Sequence, residues 1–349
     1  MKYLVCSSKL IPMKKPIAAL SLVLMFSLLP SNLAYAAAKE PKQITGFQDA
    51  IDRAQDVSYW AWKKSSIQIS SNKSKSPPVK LIVGPNTKLS NPKPKDAFDG
   101  ISRLYPEFRR PNKIYVVYFS HKDVAWAQTE YKSIHPDASG QEAKNFCPKI
   151  ESCEGAGATI NRSGDGVILI AVMTKNPDVL RTSGTLEAHE YTHVLQTGAF
   201  FGTPNQMQAI VGIKAFAPWW FVEGGAEFSQ IPAIHSSSFT NYTKDRKIWA
   251  KNILENKDGK YTEAWIANFL KPPNTSIWSD SETQWNLYDI GLLASEIFTA
   301  IKGPSINIQI FKDISAGMTY EKSFEKNFGI KWAAAVPLIA KSIAKVAGK

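Results

Sequence analysis

From Leu186 to Gln196 the chain reads Leu-Glu-Ala-His-Glu-Tyr-Thr-His-Val-Leu-Gln, so His189 and His193 stand four residues apart with Glu190 after the first. On a helix, residues four apart share a face. Both imidazoles can then point at one ion while Glu190, one step round, reaches a water beside it. Zinc suits imidazole and carboxylate ligands, and it acidifies water enough for a carboxylate to take a proton near neutral pH. A solvated helical face that carries His and Glu for other reasons is the alternative. Ala188, Val194 and Leu195 beside the pair point to partial burial instead, and half-buried imidazoles need partners.

A third ligand has to come from further along. The positions three and six after His193 are Gln196 and Ala199, so no third histidine follows at short spacing. The first acidic residue after Glu190 is Glu223, inside Pro-Trp-Trp-Phe-Val-Glu-Gly-Gly-Ala-Glu-Phe at 218–228. That aromatic run marks a buried helix, where a carboxylate is costly unless it meets a cation or hydrogen-bond donors. Glu227, four residues on, shares the face of Glu223 and is spaced to hold the ring nitrogen that a metal leaves free on one histidine. An ordinary amphipathic face is the competing explanation for both glutamates.

His189-Glu190-x-x-His193 followed by Trp220-x-x-Glu223-Gly-x-Ala-Glu227 resembles the gluzincin metallopeptidases. The closer likeness is to the aminopeptidase N branch and to the small secreted peptidase MA-like proteins related to its catalytic domain. The resemblance implies that His189, His193 and Glu223 hold one Zn2+ ion and that Glu190 is the general base. Tyr288-Asp-Ile-Gly291, before an apolar helix ending at Lys302-Gly303-Pro304, resembles the family's Y-x-x-G helix. It implies that Tyr288 donates its hydroxyl to the tetrahedral oxyanion, a role worth roughly 3 kcal/mol in such sites. A packed helix aromatic is the other reading of Tyr288. Ser323-Phe324 through Phe328-Gly329-Ile330 resembles the family's terminal element. The likeness spans roughly residues 110 to 335 and is specific at 189–193 and 220–227. It departs in the 29 residues between His193 and Glu223, a gap longer than in the aminopeptidases, so 199–217 is expected to be an inserted loop or helix near the cleft. No G-x-M-x-N segment is present to anchor a substrate's free N-terminus, which leaves endo- and exopeptidase open. Of two readings of His235, assistance to the transition state or a place on a surface loop, the surface loop is the expectation.

The elements that must position these residues follow from apolar periodicity. A helical period covers 44–65, and 79–83 is a short strand after a Ser/Asn/Lys/Pro-rich stretch. Ile-Tyr-Val-Val-Tyr-Phe at 114–119 and the apolar run 167–173 are the clear strands, with a helix between at 122–131 and an extended loop around the cysteines. From Ser183, a candidate helix cap, the pattern becomes helical: 184–197, 218–230, 239–256, 261–270, 281–301, 304–314, 319–328 and 332–346. A small mixed sheet followed by a mainly helical half is an α+β order, and with the resemblance it implies a zincin-like domain.

Composition bounds the rest. The 349 residues are 44% hydrophobic, with 10 Trp, 12 Tyr and 17 Phe, which excludes wholesale disorder. Lys14 and Lys15, the uncharged run Ile17–Leu29 and the small-x-small site Ala34-Tyr35-Ala36 read as a secretory leader, from Met1 or from Met13; an uncleaved anchor is the alternative. The expected division is a signal peptide at 1–36, an N-terminal helix and Lys/Ser-rich linker at 37–77, and the zincin-like domain at 78–349. That places the protein outside the cytoplasm, with no transmembrane span after leader removal. There Cys147 and Cys153, with five residues between them, read as a disulfide rather than a two-cysteine metal site.

The net charge of +12 raises a nucleic-acid partner, but its distribution argues against a specific one. The leader holds four lysines and no acid. Residues 57–95 hold eight lysines and no arginine or acid, so the rest of the mature chain is neutral. A solvated linker, or weak contact with anionic cell-envelope polymers through 57–95, fits that pattern. The functional expectation is a secreted zinc peptidase acting on peptide or protein substrates. The rivals are a zinc hydrolase of another amide or an epoxide, and a non-catalytic envelope protein that retains the fold.

Overall fold

Buried apolar faces organise the chain in the computed structural model, which describes residues 40–173, 182–271 and 281–348, the first four of the last stretch by backbone alone. The expected leader lies outside the described residues. The chain from Gln43 onward forms one compact unit. It begins with α1 (Phe47–Asp52), α2 (Val57–Ser71), β1 (Val79–Val83), α3 (Pro94–Leu104), β2 (Ile114–Phe119), α4 (Val124–Ile134), α5 (Glu142–Phe146), β3 (Ala156–Ile160) and β4 (Gly166–Ala171). Helices follow: α6 (Thr185–Gly198), α7 (Gln206–Gly212), α8 (Trp219–His235), α9 (Phe239–Trp249), α10 (Lys251–Glu255), α11 (Glu263–Leu270), α12 (Ser281–Lys302), α13 (Ile306–Ser315), α14 (Tyr320–Phe328) and α15 (Trp332–Ala344). This is the expected α+β order. Among the described residues no helix is long and apolar enough to cross a membrane.

The four strands form one sheet in the order β1-β2-β4-β3. β1, β2 and β4 run parallel, with Ile114 beside both Val79 and Gly166, and β3 pairs antiparallel to β4 at the edge. β2 and β4 are apolar throughout because both faces are covered, as central parallel strands require. Val116, Tyr118, Ile168 and Ile170 face Phe98 and Ile101 of α3 and Leu186, Tyr191 and Leu195 of α6. Val117, Phe119, Val167 and Leu169 face Ala127 and Tyr131 of α4 and Ala143 of α5. The helical half gathers round α8, whose Trp220 stacks on Trp332 at 5.6 Å and whose Phe221 stacks on Phe311 at 5.3 Å.

Several expectations change. The helix expected over 44–65 is two helices joined by a short 3-10 turn at Ala54–Asp56, and the second continues to Ser71. That second helix, placed before the domain in the expected division, buries Val57, Ala61, Ser65 and Ile69 within the compact unit and packs along α12. The basic segment is therefore not a solvated linker over its whole length. Lys64 donates to the carbonyls of Ala300 and Ile301 at 2.6 and 3.0 Å, satisfying the C-terminal turn of α12, and Lys95 pairs with Asp99 at 2.9 Å. The loop expected round the cysteines contains α5 and the edge strand β3. Cys147 and Cys153 are disulfide-bonded, and the Gly155 N–H donates to the Phe146 carbonyl at 2.9 Å, fastening α5 to the start of β3. Helix α3, absent from the sequence expectations, carries Ala97, Phe98, Ile101 and Leu104 on its buried face behind Pro94 at its first turn. The helix expected over 239–256 breaks at Ala250 into α9 and α10.

Candidate metal centre

The histidine helix α6 lies between the sheet and α8, and nearly all of its residues are buried. Its start differs from expectation: Gly184, at φ +90°, occupies the cap position, and Ser183 Oγ bonds the Thr185 hydroxyl at 2.9 Å and accepts from the Thr185 N–H at 3.3 Å. A left-handed turn there suits glycine. Glu187, on the first turn, accepts from Asn91 Nδ2 and the Tyr118 hydroxyl, each at 3.1 Å, which ties α6 to β2. The helix ends at Gly198, one residue past the expected 184–197.

His189 and His193 face α8 across a gap closed by Glu223. The two Nε2 atoms are 3.0 Å apart, and Glu223 Oε2 lies 3.4 Å from the first and 3.3 Å from the second. The other ring nitrogens decide which atoms carry hydrogen. His189 Nδ1 is 3.0 Å from Glu227 Oε2, so Nδ1 donates. Gln196 Nε2 donates to the Val222 carbonyl at 2.9 Å, which turns its Oε1 toward His193 Nδ1 at 2.7 Å as an acceptor. In their neutral forms both histidines therefore present Nε2 lone pairs to each other and to a carboxylate oxygen. Three acceptors at these separations repel unless a cation lies among them. Tetrahedral ligands on zinc at about 2.0–2.1 Å are themselves about 3.3–3.4 Å apart, so the set is spaced to hold one ion.

The electrostatics express the same demand for positive charge. Burial by itself would strip the proton from His189, but hydrogen bonds and charge from Glu223 and Glu227 raise its pKa well above the ordinary range. Burial opposes the proton on His193 too, but the charge and hydrogen bond of Glu223, with the charge of Glu190, raise its pKa. Burial also opposes the charge on Glu223, yet the two histidines hold it far below the usual carboxylate range.

Glu190 lies beside the cluster without joining it. It is buried, and its Oε2 has no hydrogen-bond partner. Burial raises its pKa while the two histidines pull it down. A buried carboxylate oxygen with no protein partner is costly and calls for a ligand. Tyr288 comes in from α12, its ring 6.1 Å from that of His189. Burial, then the charges of Glu223, Glu227 and Glu190, push its hydroxyl pKa well up, so it stays a proton donor.

The structure thus brings together His189, Glu190, His193, Glu223, Glu227 and Tyr288. It separates His235, which closes α8 twelve residues after Glu223, roughly 18 Å along the axis at 1.5 Å per residue. His235 is not on a surface loop: its Nε2 meets Asp245 Oδ2 at 2.8 Å, and both groups are largely buried. Residues 199–217 contain α7 and a short 3-10 turn. Gln196 is the residue that sequence reasoning passed over. It marks only the absence of a third histidine there, although its place three after His193 puts it on the same helix face. No protein-family model matches this chain, and neither the curated proteins nor the solved structures contain a match to it.

One pH effect originates next to the site. Asp289 accepts from the Asn252 N–H at 2.9 Å at the start of α10. Burial, reinforced by the charge of Glu227 and opposed by the α10 N–H groups, raises its pKa from 3.8 to about 7. The unfolded chain loses this proton near the ordinary value and the folded chain near the raised one. The stability it contributes is full below the ordinary value and is lost as pH rises through the raised one. Asp289→Asn is expected to flatten the fall in urea-unfolding free energy between pH 4 and pH 8, by roughly 4 kcal/mol at most. Parallel wild-type and variant profiles would refute this.

Proposed function

We propose that the protein is a zinc-dependent peptidase of the gluzincin type, exported by its leader, that hydrolyses peptide bonds in peptide or protein substrates. The observation that carries this reading is the convergence of three lone-pair donors, His189 Nε2, His193 Nε2 and Glu223 Oε2, beside Glu190, whose buried Oε2 has no hydrogen-bond partner. When bound, zinc supplies Lewis-acid polarisation of the scissile carbonyl and makes water acidic enough to attack near neutral pH. Glu227 and Gln196 fix the two imidazoles with Nε2 inward. Glu190 takes the proton of the attacking water at Oε2 and returns it to the leaving amine. Tyr288 donates its hydroxyl to the oxyanion that forms at the substrate carbon. The enclosed cluster excludes bulk water, which strengthens each of these contacts.

The edge strand supports a peptide rather than a small amide as substrate. Among the described residues β3 pairs with β4 alone and packs on α6, and the pairing of Gly155 with Ala171 turns the backbone groups of Ala156 and Ala158 away from β4. An extended peptide can add to such an edge.

The test is metal analysis of the purified protein beside His189→Ala. About one zinc per chain in the wild type, nearly none in the variant, and metal-dependent cleavage of unstructured peptides in the wild type alone are expected. Protein that is isolated without metal and takes up none on reconstitution would favour the non-catalytic envelope reading.

A further inference from the structure

Trp285 lies one turn before Tyr288 on α12 and is 59 % exposed, an uncommon position for the residue with the most apolar surface to hide. Its ring is 5.7 Å from that of Tyr288 at 42°, and the Tyr288 ring is 6.1 Å from that of His189 at 32°. The three rings form a ladder from solvent to the candidate metal ligands. Helix α12 is held in register at this level: Gly291, one turn past Tyr288, is in backbone contact with Gly224, next to Glu223. Trp285 is therefore set on a rigid element at a fixed height above the reacting groups, as a binding platform requires.

We propose that Trp285 forms a substrate subsite that takes an aromatic or large apolar side chain. The inference rests on the peptidase reading for what the ligand is, and on the ring ladder for where it sits. The ladder spans no more than about 12 Å and an extended peptide advances about 3.4 Å per residue, so the recognised side chain lies within about three residues of the scissile bond. A ring on the substrate can meet the exposed indole, which has Tyr288 tilted at 42° behind it, within the range of geometries that aromatic pairs favour. The indole sits outside the carboxylate cluster, so apolar contact sets the preference there.

The experiment uses zinc-loaded Glu190→Gln protein and blocked octapeptides in which a single Phe is walked along a Gly/Ser/Ala background. Calorimetry gives each dissociation constant. One Phe position is expected to bind five- to tenfold more tightly than Ala at that position. Trp285→Ala removes this preference and Trp285→Phe keeps most of it, with melting temperatures close to the parent. Wild-type protein is then offered the preferred peptide, and cleavage within three residues of the Phe is expected. No Phe preference, or one that survives Trp285→Ala, overturns the subsite. A variant whose melting temperature falls while the preference is unchanged also overturns it and makes Trp285 a packing residue. If the preference depends on Trp285 but the wild type cleaves none of the peptides, the peptidase reading fails and the aromatic subsite stands.

Discussion

Glu190→Gln is expected to keep one zinc per chain and to lower kcat of the proposed hydrolysis by roughly 10²–10⁴-fold, the range that a positioned general base contributes. The candidate ligand atoms belong to His189, His193 and Glu223, so metal content tests them and turnover tests Glu190. The substitution also has a predictable effect on folding. Glu190 Oε2 has no hydrogen-bond partner, and burial raises the pKa of its carboxyl. A glutamine amide brings two N–H donors into the same place, and leaving them unpaired costs about 1–3 kcal/mol. It also removes the burden of holding a carboxylate out of water, so the two changes oppose each other and the melting temperature should move little. His189→Ala is the contrast, since it removes a ligand and loses metal and turnover together. Unchanged turnover in zinc-loaded Glu190→Gln would sink the mechanism even if every ligand proved correct.

What could be read in advance was local in the chain. His189 and His193 share a helix face by spacing alone, and the apolar residues round Glu223 and Glu227 make an uncompensated carboxylate there implausible. Tyr288 and Gly291 were recognisable only as a spacing, because their significance lies in a helix that approaches from sixty residues away. The edge strand escaped notice for a physical reason. Its sequence Ala-Gly-Ala-Thr-Ile opens with three small residues because Phe146 lies over them: a Cβ on Gly155 would come within 2.7 Å of the Phe146 backbone, and one on Gly157 within 2.7 Å of its ring. Small residues demanded by an overlying ring look like a loop. The lysines of 57–95 misled in the opposite way. Charge is visible in sequence, but the carbonyls at the end of α12 that Lys64 satisfies are more than two hundred residues away. His235 likewise needed Asp245, ten residues on and across the turn between α8 and α9, to become half of a largely buried hydrogen-bonded pair.

Gly291→Ala is expected to destabilise the protein by about 3 kcal/mol or more and to impair the site without touching a ligand. In an ordinary helix the change would favour folding by up to about 1 kcal/mol. Here a Cβ on Gly291 would stand 2.1 Å from the Trp220 carbonyl oxygen and 2.6 Å from Gly224 Cα, and a Cβ on Gly224 would stand 2.1 Å from Gly291 Cα. These are backbone atoms and cannot rotate aside, so α8 and α12 must separate by more than 1 Å to restore ordinary contact. The cost is large because the same two helices carry Trp220, Phe221, Leu287, Ile290 and Phe298 into the main core, and separation loosens all of them. The functional consequence follows from position. Glu223 precedes Gly224 by one residue and Tyr288 precedes Gly291 by one turn, so parting the helices draws the proposed oxyanion donor away from the metal ligands. Denaturant unfolding should show the lost stability, and kcat should fall further than KM rises. Gly225→Ala is the control: its Cβ would meet only the tip of the Gln196 side chain, at 3.3 Å, which can give way. It should stay within about 1 kcal/mol of wild type, while loosening the hydrogen bond that orients His193. If Gly291→Ala unfolds at the same denaturant concentration as Gly225→Ala, the crossing is not the hinge on which this site depends.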